Sequence, residues 1–556
     1  MSTTKNAPPG SATVHQALEQ AMRHHAAGDL RAAEGIYQQV LRTDPNQPVA
    51  LHLLGLIAHQ VGKNDVAADL MSKALAVKPD YAEAYCNLGL VLQALGRLDD
   101  AVASFKRSLK INPGAADVHN NLGNALYALR KLDAATDSYQ QAIDLHPGYL
   151  EAHYNLGNVF KDERRMAEAA ESYRHAIEIK PDFAEAHANL AYALQEQEQL
   201  DDAIAHYQQS LALKPAAPDV LANLGVVLNM CGRRDEALAA FEAALEHKRG
   251  PGVAAASARH LRATNKAKLR HDIEQFEYLA SLGKEAEKYQ GLAAAYRTVL
   301  DEVAWPESDS QPVLLNDAQL QKLQGTYNRP VHRATAPALP GSSLNAGLDP
   351  KKITADYFSH SAGATYFDGF LSDEALTSLR RYLLQSTIWF ECKYAGGYLG
   401  AMLGDGLACP LLLQIADDLA ATFPDIFKDH KLKQLWAYKY DSRLTGIAMH
   451  ADFAAVNVNF WITPDEANLN PESGGLVVYD AEAPMDWDFK TYNTDQERIH
   501  AFLAEQKSGK IVAPHRQNRM VMFNSDLFHA TDTIEFKEGF ENRRINVTML
   551  FGHRDV

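Results

Sequence analysis

The chain has 556 residues, 46% of them hydrophobic and 22% charged, which is too long for a single hydrophobic core and ordinary for folded domains. No apolar run is long enough to cross a bilayer, and Met1–Ser11 has no apolar signal core, so neither membrane insertion nor export is expected. The formal charge of −16 argues against broad nucleic-acid binding, which needs a basic surface; four scattered cysteines, Cys86, Cys231, Cys392 and Cys409, offer no disulfide framework or zinc site and fit a reducing, cytoplasmic setting.

Residues 1–13 read as a disordered N-terminal tail. Beyond them the sequence repeats. Prolines stand at Pro45, Pro79, Pro113, Pro147, Pro181 and Pro215, always 34 residues apart. The same interval links Ala33, Ala67, Ala101, Ala135, Ala169, Ala203 and Ala237, and the small residues Gly55, Gly89, Gly123, Gly157, Ala191 and Gly225. It also links the bulky series Tyr37, Met71, Phe105, Tyr139, Tyr173, Tyr207 and Phe241. This period with these residue types resembles the tetratricopeptide repeat family over residues 14–250, as seven repeats. The resemblance implies an all-α solenoid of helix pairs. Small residues let paired helices approach, the bulky residue is expected to fill space between neighbouring repeats, and proline ends each second helix.

A further 34-residue series is Asn87, Asn121, Asn155, Asn189 and Asn223. In this family the first helices line a concave face. The series resembles the amide ladder of the O-GlcNAc transferase repeats, which holds substrate protein, and implies a peptide groove. The same positions also suit bonds between neighbouring helices. Residues 251–305 read as capping helices, with segments at Asp272–Leu282 and Gly283–Val303. Residues 306–350, rich in Pro, Ser, Gly and Asn, read as an extended linker.

Residues 351–556 change period. Helices are expected near Asp373–Ser386 and Pro410–Phe423. Short β-rich runs follow at Leu432–Tyr440, Gly446–Ala451, Ala455–Thr463, Gly475–Asp480, Lys510–Ala513, Arg519–Phe523, Phe528–Ile534 and Arg544–Phe551. Eight such runs suggest a sandwich or jelly roll.

Within them, His450-Ala451-Asp452 puts an imidazole and a carboxylate on one side of an extended segment, and His529 follows. Two histidines and one carboxylate leave three open positions on an octahedral ion, the arrangement of non-haem iron(II) oxygenases. A second His-x-Asp, His553-Arg554-Asp555, has no histidine downstream and carries no such reading.

From Leu432 to Gly552 the chain resembles the iron(II)/2-oxoglutarate dioxygenases, in their prolyl-hydroxylase-like branch. Tyr440, ten residues before His450, matches a tyrosine on 2-oxoglutarate. Gly474-Gly475-Leu476 matches a family turn. Arg519–Phe523 leads into His529, and Arg544-Ile545-Asn546 resembles the family's Arg-x-Ser. The resemblance implies a double-stranded β-helix, or jelly roll, with flanking helices. It implies His450, Asp452 and His529 as catalytic iron(II) ligands, and Arg544, Tyr440, Asn546 and Asn459 as contacts to 2-oxoglutarate, with O2 consumed and ascorbate supportive. Arg543 competes with Arg544; strand alternation puts Arg544, Asn546 and Thr548 on the inward face. Asn457, Asn459 and Trp461 share one strand face, suited to core hydrogen bonding or to substrate. Ala481–Ser508 is a candidate lid.

The expected function is hydroxylation of a protein or peptide side chain recruited by the repeats, a pairing similar to that in prolyl 3-hydroxylases. Aspartyl/asparaginyl hydroxylase has a similar architecture but lacks the carboxylate ligand. The alternatives are a small-molecule hydroxylase whose repeats serve assembly, and a repeat scaffold with an inactive oxygenase fold.

Overall fold

The computed structural model describes residues 11–255, 258–309, 311–360, 362–392, 398–441, 446–485 and 487–553; the expected tail at 1–13 falls largely outside them. The chain divides into two compact units, Met1–Leu213 and Lys214–Val556.

The first unit is a helical repeat array. Six helix pairs run from Ser11–Ala26 to Leu200–Leu213. Each second helix stops two residues before its proline, as at Ile111 before Pro113 and Leu145 before Pro147. The glycine series has a steric cause. A Cβ on Gly89 would lie 2.5 Å from the Phe105 ring, and one on Gly123 would lie 2.5 Å from the Tyr139 ring. Each ring therefore seats on the glycine of its own repeat, sixteen residues earlier. The seat on the glycine adds to the expectation that the ring fills space between neighbouring repeats. The rings are buried, in clusters that run through several repeats.

The seventh pair, Pro218–Met230 and Arg234–Arg249, belongs to the second unit. It packs on a short turn, Leu403–Asp405. Gly404 is small enough to meet Ala222, where an added Cβ would stand 2.6 Å from the Ala222 Cβ. Arg249 and Asp405 form a buried bidentate pair of 2.5 and 2.6 Å. The division at 213/214 thus differs from the expected boundary in 306–350.

Helices Lys266–Ser281 and Ala286–Glu302 occupy the expected capping region and pack through Phe276, Tyr289 and Tyr296. Residues 306–350 are not an extended linker. Val313–Leu314 (β2) pairs with Ala263–Thr264 (β1), and Leu315, Leu323 and Tyr327 bury in the helix cluster. Further on, Gln414 accepts from Leu339 N–H and donates to Gly341 O, and Asp418 accepts from Ser343. These anchors override the loop-like composition.

The strands that follow are β3 Ala364–Phe367, β4 Tyr398–Met402, β5 Leu432–Tyr440, β6 Val456–Trp461, β7 Leu476–Glu482, β8 Lys510–Ala513, β9 Met520–Asn524, β10 Leu527–Thr531 and β11 Ile545–Phe551. They make an antiparallel six-stranded sheet, β3-β9-β6-β11-β5-β4, and an antiparallel three-stranded sheet, β10-β7-β8. The two sheets share an apolar cluster of Trp461, Val521 and Phe523 with Leu476, Val478, Ala513 and Leu527. β3 and β4 were not expected; both are short strands at the sheet edges. The expected strand Gly446–Ala451 is reduced to one isolated bridge, His450 to His529.

Candidate metal centre

The bridge sets the geometry. His450 N–H donates to His529 O at 3.0 Å, and His529 N–H donates to His450 O at 2.8 Å. The pair holds the rings side by side, with centroids 4.3 Å apart. Asp452 follows two residues on, its N–H bound to Ser525 O. His450 Nε2 lies 3.9 Å from Asp452 Oδ1, and His529 Nε2 lies 3.5 Å from Asp452 Oδ2. One ligand atom from each residue falls within 4.8 Å of the others.

The ring orientations suit a metal. His450 Nδ1 bonds Ala448 O at 2.9 Å, and His529 Nδ1 bonds Leu527 O at 3.0 Å. A carbonyl can only accept, so Nδ1 carries a proton in both rings and each Nε2 is the nitrogen turned toward Asp452. Burial, then His529, lowers the His450 pKa to about 4, so this ring is neutral. Burial alone would raise the Asp452 carboxyl; His529, His450 and Asn457 outweigh it and lower the pKa. Two imidazoles and a carboxylate, with three coordination positions left open, fit iron(II).

A polar ladder leads away from Asp452. Asn457 Nδ2 donates to Asp452 Oδ2 at 2.7 Å, and Asn459 Nδ2 donates to Asn457 Oδ1 at 2.6 Å. Asn459 Oδ1 accepts from Thr548 Oγ1 at 2.7 Å and from Asn546 Nδ2 at 3.0 Å. Asn459 and Asn546 therefore tie β6 to β11, where the sequence expectation had them touching cosubstrate. Asn457→Ala removes the amide that aims Asp452. Iron(II) affinity is expected to fall roughly 10- to 100-fold with the far-ultraviolet circular dichroism unchanged; unaltered affinity in an iron titration would show that Asp452 needs no such support.

The same strand faces reach Arg544. Its Nε donates to Gly474 O at 2.6 Å and its Nη2 to Gly475 O at 3.1 Å, while Nη1 has no partner. The guanidinium lies 4.7 Å from the Tyr440 ring centre and 5.6 Å from that of Trp461. Burial raises the Tyr440 hydroxyl, and Arg544 and Thr531 oppose the shift. Arg543 is engaged elsewhere, with Glu274 at 2.8 Å and Asp441 at 3.5 Å. A buried guanidinium that hydrogen-bonds the Gly474 and Gly475 carbonyls and lies against Tyr440 has charge left to share with an anion, so the residues fit a ligand carboxylate.

The segment Ala481–Ser508 is a packed brace and not a detached cover. Tyr492, Ile499 and Leu503 bury against Met449, Ala451 and Phe528. Gln496 Nε2 donates to Met449 O at 2.7 Å and Asn493 Nδ2 to Ala451 O at 3.2 Å, so this brace fixes the backbone on either side of His450. Sequence reasoning gave no role to Asn493, Gln496 or His515, which lie on helices or a loop without a period that marks them. In the second His-x-Asp, Arg554 and Asp555 lie outside the described residues.

In the repeats, three asparagines are tied to the preceding repeat. Asn87 donates to His52 at 2.8 Å; Asn155 donates to Asn120 and Asn124, both at 3.1 Å; Asn189 donates to Tyr154 and Asn158, both at 3.1 Å. Asn121 lies against the Cys86 thiol. These four are half-buried and Asn223 is exposed. The series is therefore not five disengaged amides; much of its donor capacity joins one repeat to the next.

Residues 18–259 carry tetratricopeptide repeats. Family profiles for this repeat match residues 18–76 and 120–182, 82–114, 59–96, 172–205 and 194–259. Among solved structures the chain is similar to MamA, at 25% identity over 30% of this chain and 96% of that one, with a TM-score of 0.28. It is also similar to YrrB, described as a TPR protein with an unusual peptide-binding site, at 22% identity over 32% and 93%, with a TM-score of 0.30. A third is pilF of Pseudomonas aeruginosa, at 23% identity over 37% and 93%, with a TM-score of 0.33. No curated protein matches the chain. Among the described residues no helix is long and apolar enough to cross a membrane.

Proposed function

We propose that the second unit is an iron(II)- and 2-oxoglutarate-dependent dioxygenase that hydroxylates a protein or peptide side chain, its two sheets being a double-stranded β-helix. The observation that carries this reading is the pairing of two features along one strand face: the His450–Asp452–His529 cluster beside Asn457, and Arg544 beside Trp461, two pleats further along β6. His450, Asp452 and His529 would hold iron(II). Arg544 would take the far carboxylate of 2-oxoglutarate as a charge-assisted pair, with the Tyr440 ring against the guanidinium. When bound, iron(II) with 2-oxoglutarate and O2 supplies the oxidant for an unactivated C–H bond and releases succinate and carbon dioxide, with ascorbate keeping the iron reduced. The chain's own part is to orient these groups and keep water out, which the cluster around Met449, Tyr492 and Phe528 does behind the metal ligands.

Tetratricopeptide arrays generally bind proteins or peptides, so the repeats are the natural recruiter of substrate. The tied asparagines favour a second reading, in which the repeats serve assembly and the substrate is a small molecule. Full-length protein given iron(II), ascorbate and 2-oxoglutarate should release succinate slowly without substrate, and faster with a peptide captured by the repeats. Neither binding nor turnover of 2-oxoglutarate would leave a non-catalytic scaffold. Turnover that no captured peptide stimulates would favour the small molecule.

A further inference from the structure

Five buried polar atoms without a hydrogen-bond partner belong to one corner of the second unit: Arg544 Nη1, Trp461 Nε1, Ser473 Oγ and both ring nitrogens of His515. Buried polar groups are nearly always paired, and such a concentration calls for a ligand that pairs them. Contacts among their residues place them together. His515 N–H donates to Ser473 O at 3.0 Å, and the next two carbonyls, of Gly474 and Gly475, receive Arg544. The Trp461 ring lies 5.8 Å from the His515 ring and 5.6 Å from the Arg544 guanidinium carbon. Phe536 closes the other side of His515, edge to face at 4.9 Å. The exposures are 0% for Trp461, 1% for Arg544, 2% for His515 and 8% for Ser473.

The chemistry of the corner selects its ligand. Burial, followed by Arg544, lowers the His515 pKa to about 3, so its imidazole is neutral and offers one N–H. An indole only donates, a hydroxyl can donate, and the guanidinium only donates. Four donors around one fixed positive charge complement a carboxylate, whose two oxygens accept up to about four hydrogen bonds. A donor-bearing end group would leave them unpaired, and a neutral acceptor would leave the guanidinium charge unmatched.

We propose that Trp461, His515 and Ser473 join Arg544 as the receptor for the distal carboxylate of 2-oxoglutarate, and that they select this dicarboxylate over keto acids lacking the second carboxylate. The proposal rests on the cosubstrate reading above and adds the residues that would make it selective.

The test uses the full chain with iron(II) under anaerobic conditions. The charge-transfer absorption of the bound keto acid is followed during titration with 2-oxoglutarate or with 2-oxopentanoate, which has the same carbon chain without the second carboxylate. Trp461→Phe and His515→Phe are each expected to weaken 2-oxoglutarate binding about tenfold or more, the scale of a lost hydrogen bond to a charged group, and to leave 2-oxopentanoate unchanged. Ser473→Ala, which removes one hydroxyl, should give the same pattern at lower amplitude and guards against misfolding of the larger changes. Equal weakening of both acids, or no change in either, overturns the assignment while the cosubstrate reading stands. Failure of the unaltered protein to bind 2-oxoglutarate overturns both.

Discussion

Asp452→Ala is expected to abolish 2-oxoglutarate turnover and to reduce iron(II) affinity by more than the roughly 100-fold upper range of a change in a residue supporting a ligand. Among the described residues Asp452 is the one carboxylate facing both Nε2 atoms, at 3.9 and 3.5 Å. It supplies the only negative charge of the three-residue cluster. Without it, two imidazoles remain, held by carbonyl contacts that are unaffected by the change. The fold should therefore survive, and thermal melting of the metal-free protein should move little. Asp452→Glu keeps the charge but displaces it by one methylene from the Asn457 amide, so it should recover part of the affinity and little of the turnover. The measurements are an anaerobic iron titration and succinate release. Full turnover by the alanine variant would remove Asp452 from the metal centre.

Arg249→Ala is expected to destabilise the second unit by about 3–5 kcal/mol, the usual result of leaving one member of a buried ion pair without its partner. Arg249 and Asp405 have side-chain exposures of 2% and 5%. Their two parallel bonds are supplemented by Lys248 Nζ at 3.0 Å from Asp405, by an Arg249 bond to Asn328 O, and by Phe390 beneath the guanidinium. Burial works against ionising Asp405, but Arg249 and Lys248 outweigh it and hold its pKa below the ordinary carboxyl range. The folded pKa is thus the lower one. The pair's contribution is fully present above the unfolded value and is lost as pH falls from there through the folded value. Denaturant midpoints for wild type and Arg249→Ala should accordingly differ at neutral pH and converge in strong acid. Arg249→Met combined with Asp405→Leu should cost less than the single change, because no charge is left buried alone. A single variant as stable as wild type at pH 7 would show that the pair holds nothing.

The repeats were legible because a strict 34-residue period carries its own steric logic: a glycine and the ring that covers it recur sixteen residues apart. The ends of β5 and β8 follow the residue pattern, and β11 differs from it by one residue. His450 and Asp452 were legible through their spacing, and His529 through the apolar strand β9 that precedes it. Other features had no periodic signature. Asparagine spacing gives positions and not partners, so the ties from Asn155 to Asn120 and Asn124 were open until side chains could be followed. Residues 306–350 look like loop by composition, yet Leu315, Leu323 and Tyr327 decide their packing. Ser473 and His515 lie just outside β7 and β8, where alternation no longer tells which way a side chain points.

The seventh helix pair has a practical consequence for anyone moving the second unit onto another scaffold. Its second helix ends in the arginine that is locked to Asp405, and its first presses Ala222 onto Gly404. The portable module therefore begins near Lys214. A cut made where the repeat motif stops would strip the second unit of the helix pair that packs on Leu403–Asp405, whereas a cut near Lys214 leaves that pair in place.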